Sequence, residues 1–156
     1  MNRWAALTLF LLASFTAAAI GGLATADAVR SWYPTLAKPS WNPPAAVFAP
    51  VWTLLYATMS VAAWRVWLRR DLAGAWPALR LFFASLGLNA LWSVLFFGLH
   101  QPGWALLEVL LFWGSLVALL GRFRRLDAIA GWLWVPYVAW VSFATALNAA
   151  IWWLNR

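Results

Sequence analysis

Long apolar runs separated by short polar or proline-bearing breaks dominate this chain. Five of them approach the ~20 residues that cross about 30 Å of hydrocarbon. They run from Trp4 to Ala26, Phe48 to Leu68, Leu79 to Leu99, Trp104 to Leu120 and Ala128 to Leu154. In lipid every backbone polar group must bond internally, and these uniform runs carry no barrel pattern, so each is expected to be a helix. The pattern predicts an all-α membrane protein, a bundle of five transmembrane helices forming one domain over residues 1–156. The breaks agree with that count. Pro77 and Pro102 precede the third and fourth helices, and Asp127 stands where the N-cap of the fifth belongs. Pro136 falls inside the fifth helix, where it removes a backbone bond and is expected to introduce a kink.

One connection departs from the others. Residues 27–47 form a long loop between helices 1 and 2, and loops of that length in compact domains are usually functional. Pro34, Pro39, Pro43 and Pro44, together with Trp32, Tyr33 and Trp41, predict a stiff, adhesive lid. The first apolar run also has features of a signal peptide: Arg3, an apolar centre and the tail Ala24-Thr25-Ala26-Asp27-Ala28. It is longer than the ~7–15 residues of a signal core, which favours a retained helix.

Composition strengthens the membrane assignment. The chain is 65% hydrophobic and 10% charged, whereas soluble domains run near 45–50% and about 25%. A soluble chain of 156 residues could not hide so much apolar surface in one core. The net charge of +7 would suggest nucleic acid on a soluble protein. Here the basic residues sit between the runs, so a nucleic-acid partner is not expected. Arg3, Arg65, Arg69, Arg70, Arg80, Arg122, Arg124 and Arg125 fall on one side of a five-helix bundle. Arg30, Lys38 and Arg156 fall on the other, and eight against three places the N-terminus in the cytoplasm of an inner membrane. The rule does not say which membrane holds the protein. The absence of cysteine excludes disulfides and thiolate metal sites.

Fifteen tryptophans exceed what interfacial belts usually need, and several share helix faces. Trp52, Tyr56 and Met59 align on the second helix, Asn89, Trp92 and Phe96 on the third, and Trp140, Ala144 and Leu147 on the fifth. Such faces suit either a ligand pocket between helices or ordinary packing, and spacing alone favours packing. Polar groups inside a membrane are costly and tend to be used. Asn89 fits pocket or structure equally, while Asn148 fits an interhelical hydrogen bond better. Glu108 lies four residues inside Trp104, roughly 6 Å deep, close enough to reach the interface.

Familiar catalytic machinery is missing. His100 is the only histidine and sits in a short loop, so neither bis-histidine haem ligation nor a hydrolase triad is expected. No phosphate-binding glycine loop, metal-ligand cluster or carboxylate pair stands out, and no internal repeat marks a transporter. The residues alone lead to an aromatic-rich bundle suited to a flat hydrophobic ligand, whose carboxylate would meet Arg30 or Lys38 at the mouth. Small residues at Ala13, Ala17 and Gly21, at Ala18 and Gly22, and at Ala84 and Gly87 have close-approach spacing. They serve either a homodimer or internal contacts.

Three groups of residues carry a resemblance to a known family. The first is Trp32-Tyr33, Leu36, Lys38-Pro39, Trp41, Pro43-Pro44, Val47-Phe48, Val51-Trp52, Leu55-Tyr56, Met59 and Ala62. The second is Leu88-Asn89, Trp92, Phe96-Phe97-Gly98 and Gly103-Trp104-Ala105-Leu106. The third is Pro136-Tyr137, Trp140, Phe143-Ala144 and Leu147-Asn148. From residue 30 onward the chain resembles the tryptophan-rich sensory protein/translocator protein family, the peripheral benzodiazepine receptors.

That resemblance implies a five-helix bundle, often dimeric, which binds tetrapyrroles such as protoporphyrin IX and haem as ligands rather than as a required cofactor. Drug-like flat aromatic molecules are further ligands of the family. By matching position it implies a pocket of Tyr33, Trp52, Asn89, Trp92, Trp140 and Ala144 beneath the lid loop. Trp41 on the loop, with Phe96 and Leu147 on the faces described above, completes the expected site. Light-dependent porphyrin breakdown in bacterial relatives would fall to Trp52 and Trp140. The sterol-recognition pattern requires a Tyr between Leu147 and Arg156, and none is present, so cholesterol is not expected as the natural ligand. The expected function is a membrane tetrapyrrole-binding sensor or regulator that sequesters porphyrin or helps degrade it. The rival is a transporter of porphyrins or small lipophiles, which protein-dependent porphyrin flux into liposomes would distinguish.

Overall fold

The computed structural model describes residues 2–156 and contains helices and turns only. Helix α1 spans Arg3–Ala26, capped by Asn2, whose side chain accepts from Trp4 N at 3.1 Å. A bend at Asp27 leads into α2, Ala28–Ser31, and then a 3-10 turn over Tyr33–Thr35. The expected long loop over 27–47 is therefore not what forms. Alanines and Val29 carry helix on to Ser31, and α3 starts at Ala45, so only 36–44 lacks regular structure. Pro43 and Pro44 fix an extended approach to α3, which explains the sharp start there.

The remaining elements are α3 (Ala45–Leu68), α4 (Ala75–Ser93), α5 (Pro102–Leu126) and α6 (Ala128–Leu154). Helix α4 begins earlier than expected, after Gly74 at φ +90°. Pro77 thus lies inside its first turn, where a backbone N–H has no intrahelical acceptor to lose. A π-helical turn over Val94–Gly98 closes that span. Helix α5 starts on Pro102 itself and runs through Arg124 and Arg125, cations that favour a helix C-terminus. Helix α6 remains helical through Pro136. Five helical stretches are long and apolar enough to cross a membrane: Arg3–Ser31, Ala45–Leu68, Ala75–Gly98, Pro102–Leu126 and Ala128–Leu154.

Around the bundle the helices follow the order α1, α3, α6, α5, α4, with α4 closing back on α1. The turn from α5 to α6 is tight because Gly131 lacks a side chain. A Cβ there would lie 2.9 Å from Arg124 Cα. Asp127, between the two helices, caps α6 by accepting from Ala130 N at 2.8 Å and from Arg65 Nε at 2.9 Å. Burial opposes the charge on Asp127, but the bonds from Arg65 and Ala130 and the charges of Arg65 and Arg69 outweigh it. The carboxyl is held below its usual range.

Small residues on α1 face inward. Ala17 and Gly21 are buried, and a Cβ on Gly21 would meet Ser93 Oγ at 3.0 Å. That set is an internal contact with α4, whereas Ala84 and Gly87 are exposed on the outer surface of α4. At the ends of the bundle, Arg3 stands over Trp4, Arg70 over Trp67, Arg124 over Trp132 and Arg156 over Trp153. These pairs suit the lipid–water boundary.

Candidate ligand cavity

The half of the bundle containing the end of α1 and the start of α3 holds a partly open cavity of about 540 Å³. That volume is within the range typical of small-molecule sites. Its walls come from α1, α3, α6 and the end of α4, with α2 and Tyr33 at the mouth; no residue of α5 lines it. Two sides are aromatic. Trp52 and Tyr56 lie 5.7 Å apart on α3, and Phe48 meets Trp140 of α6 edge-on at 5.9 Å. Trp92 and Phe96 lie 5.7 Å apart, with Tyr33 tilted over Phe96 and Phe97. The α1 wall is mixed: Phe15 lies against Tyr56 at 6.1 Å, while Ala18, Gly21, Gly22 and Ala26 offer almost no side chain.

Seven of the nine expected site residues border this space: Tyr33, Trp52, Trp92, Phe96, Trp140, Ala144 and Leu147. Asn89 does not. It is 1% exposed, accepting from the Tyr56 hydroxyl and donating to Tyr137 Oη at 3.1 Å. Its side chain is spent on a buried layer beneath the cavity, where Tyr56 forms both floor and network. Trp41 is also outside, 48% exposed and edge-on to Phe143 at 5.8 Å. Met59 is fully buried in the core rather than in the cavity wall. Asn148, by contrast, borders the cavity while accepting from Trp92 Nε1 at 3.0 Å and donating to Pro102 O at 2.8 Å.

The polar atoms of the wall divide into committed and free. Thr25 and Thr53 donate to carbonyls of their own helices. Trp140 Nε1 is buried without an acceptor among the described residues. Arg30 borders the mouth, and Lys38 does not. Lys38 instead donates to the carbonyls of Tyr33, Pro34 and Leu36, holding the turn below it together. The lid is pinned further by the Tyr33 hydroxyl donating to Asn42 Oδ1 at 2.8 Å. Burial pushes the Tyr33 phenol up, more than the Asn42 bond brings it down. Asn155, just past α6, accepts from Ala37 N at 3.0 Å and donates to Ala37 O at 2.8 Å.

Glu108 does not reach the interface as its position suggested. Both carboxyl oxygens are buried without hydrogen-bond partners among the described residues. Proximity in sequence to Trp104 did not reveal which way the side chain turns. His100, at φ 54°, stacks on Trp32 at 4.3 Å outside the cavity.

The cavity is thus walled by tryptophans from three spans, with the Tyr33–Thr35 turn at its mouth. The sequence profile of the TspO/MBR family matches residues 9–154. The chain belongs to the TspO/MBR family. It is 42% identical over 145 residues to the tryptophan-rich sensory protein of Cereibacter sphaeroides, covering 93% of this chain and 88% of that relative. It is 37% identical over 150 residues to the protein CrtK of Rhodobacter capsulatus, covering 96% and 94%. The human translocator protein is 40% identical over 125 residues, covering 78% and 73%. With five spans and this membership, the chain is a multi-pass integral membrane protein.

Proposed function

We propose that this TspO/MBR-family protein is a membrane receptor for a tetrapyrrole, which it holds in the cavity as a sensor or regulator of porphyrin. The observation carrying this reading is the convergence of Trp52, Trp92 and Trp140 from three separate spans on one partly open cavity. Aromatic faces there contribute about 0.5–1.5 kcal/mol each toward a flat ring beyond its buried area. The bare α1 wall leaves room for the macrocycle's edge, and the free Trp140 Nε1–H offers a donor to it. Among the described residues no His, Cys or Met side chain borders the cavity, and the Tyr33 and Tyr56 hydroxyls that do are hydrogen-bonded to Asn42 and Asn89, so a metal-free macrocycle fits better than an iron porphyrin needing an axial ligand. When bound and illuminated, a porphyrin passes energy to dioxygen. Trp52 and Trp140 are the oxidisable indoles beside it, and the lid limits access of water.

The test is saturable quenching of tryptophan fluorescence by protoporphyrin IX in the purified protein. Ala18→Phe fills the α1 side and is expected to weaken binding about tenfold, or 1.4 kcal/mol, with helix content unchanged. Trp140→Phe is expected to slow any light-driven loss of porphyrin absorbance. Quenching that never saturates, or that Ala18→Phe leaves intact, would remove the reading.

A further inference from the structure

Three cationic side chains lie on the lid side of the bundle, and two are already committed. Lys38 gives its ammonium to three carbonyls and stands 5.1 Å over the Tyr33 ring. Arg156 lies over Trp153 at 3.0 Å. Arg30 is different. Among the described residues the ion pairs are Arg65 and Arg69 with Asp127, and Arg30 has neither a carboxylate nor an aromatic ring as partner. Asp27, one turn earlier, does not pair with it. Yet Arg30 is exposed and borders the mouth of a cavity whose hydroxyls at Thr25, Thr53 and Tyr56 are bonded within the protein. An apolar chamber with one uncommitted guanidinium at its rim is matched by an apolar molecule ending in a carboxylate. The planar fork of Arg takes that group through two parallel hydrogen bonds.

We infer that Arg30 is the residue by which this cavity selects acids over neutral molecules: it binds one ligand carboxylate at the rim while the apolar body lies within. The inference rests on the cavity being the ligand site, and on the tetrapyrrole reading only for the choice of first probe. A porphyrin's second carboxylate would remain toward water. Because the pair forms at an exposed mouth, its contribution is that of a partly solvated ion pair and is weakened by salt.

The test compares protoporphyrin IX with its dimethyl ester on the full chain in detergent, by tryptophan quenching. The wild type is expected to prefer the acid by about five- to tenfold, and less so at higher ionic strength. Arg30→Gln should lose that preference by weakening the acid alone, and Arg30→Lys should recover part of it. Lys38→Gln loosens the lid and is expected to change both affinities together, keeping their ratio. Equal binding of acid and ester by the wild type overturns the inference, as does an unchanged ratio in Arg30→Gln. If neither porphyrin binds, the tetrapyrrole reading fails by itself. A long-chain fatty acid against its methyl ester then gives the same comparison, and a preference that vanishes in Arg30→Gln still supports the role of Arg30.

Discussion

Two tryptophans on α6, six positions apart, occupy opposite kinds of space. Trp134 is fully enclosed, donates to Leu116 O at 3.0 Å, and has Phe82, Phe123 and Tyr137 edge-on around it. Trp140 borders the cavity with its Nε1–H unpartnered. Both halves of the bundle are rich in aromatics, so chemistry of the ring does not separate them. The difference lies on α1. In the filled half Phe10 inserts against Phe82 and Phe83, Phe10 O accepts from Ser60 Oγ, and Arg3 O accepts from Trp64 Nε1. In the hollow half α1 offers Phe15 at the Tyr56 end and beyond it only Ala18, Gly21, Gly22, Thr25 and Ala26. The cavity is created by leaving bulk off one helix while its neighbours keep theirs.

Truncating the two tryptophans tests that contrast most severely. Trp134→Ala should cost about 3–5 kcal/mol, because close-packed neighbours cannot collapse into the hole. Trp140→Ala should cost less than about 1 kcal/mol, since its ring already faces open volume. Equal losses in thermal unfolding of the detergent-solubilised protein would erase the distinction between the halves. A smaller effect is expected at the boundary layer. Asn89→Leu leaves the Tyr56 and Tyr137 hydroxyls without their partner and should cost about 1–3 kcal/mol by the same measurement. If Asn89 contributed only to ligand contact, stability would not change.

A loss no larger than that of Asn89→Leu is expected at the closed base of the filled half. Asp127→Asn retains a helix cap but loses both ion pairs, and should cost about 1–2 kcal/mol given that Arg65 is 27% exposed at its side chain. The carboxyl of Asp127 is depressed in the fold relative to its ordinary value of 3.8. Its contribution is therefore complete above that value and is lost as pH falls below it through the folded value. Acid unfolding of wild type and Asp127→Asn should converge at low pH, and parallel curves would show that the ion pair contributes nothing.

Much of this architecture was legible because lipid imposes a simple rule: apolar runs of spanning length must be helices. Helix α6 and its Asp127 cap lie where the pattern puts them. Boundaries elsewhere shifted because proline is harmless in a first turn, as at Pro77 and Pro102, and because arginines extend α5 beyond the apolar run. The face periodicity put Trp52, Trp92 and Trp140 on candidate faces but favoured packing over a pocket, and it left Asn89 open between pocket and structure; only the family resemblance put Asn89 in the pocket. Asn89 borders two tyrosines that periodicity alone does not relate, one of them on α6. Trp41 sits in a segment with no period, so nothing fixed its direction. The bare wall on α1 was visible as a small-residue pattern, yet the same pattern also fits helix pairing. Lys38 looked as free as Arg30, and only the folded turn shows its ammonium bound to three carbonyls.

The two bonds between Asn155 and Ala37 have a mechanical consequence. Helix α6 is a rod about 40 Å long whose near end is tied to Arg65 through Asp127, whose middle presents Trp140 and Ala144 to the cavity, and whose far end clasps the lid. Any guest that slides or rotates this rod shifts the clasp and the ion pair in a single movement. A displacement of this helix at mid-membrane would be felt by the ties at both of its ends.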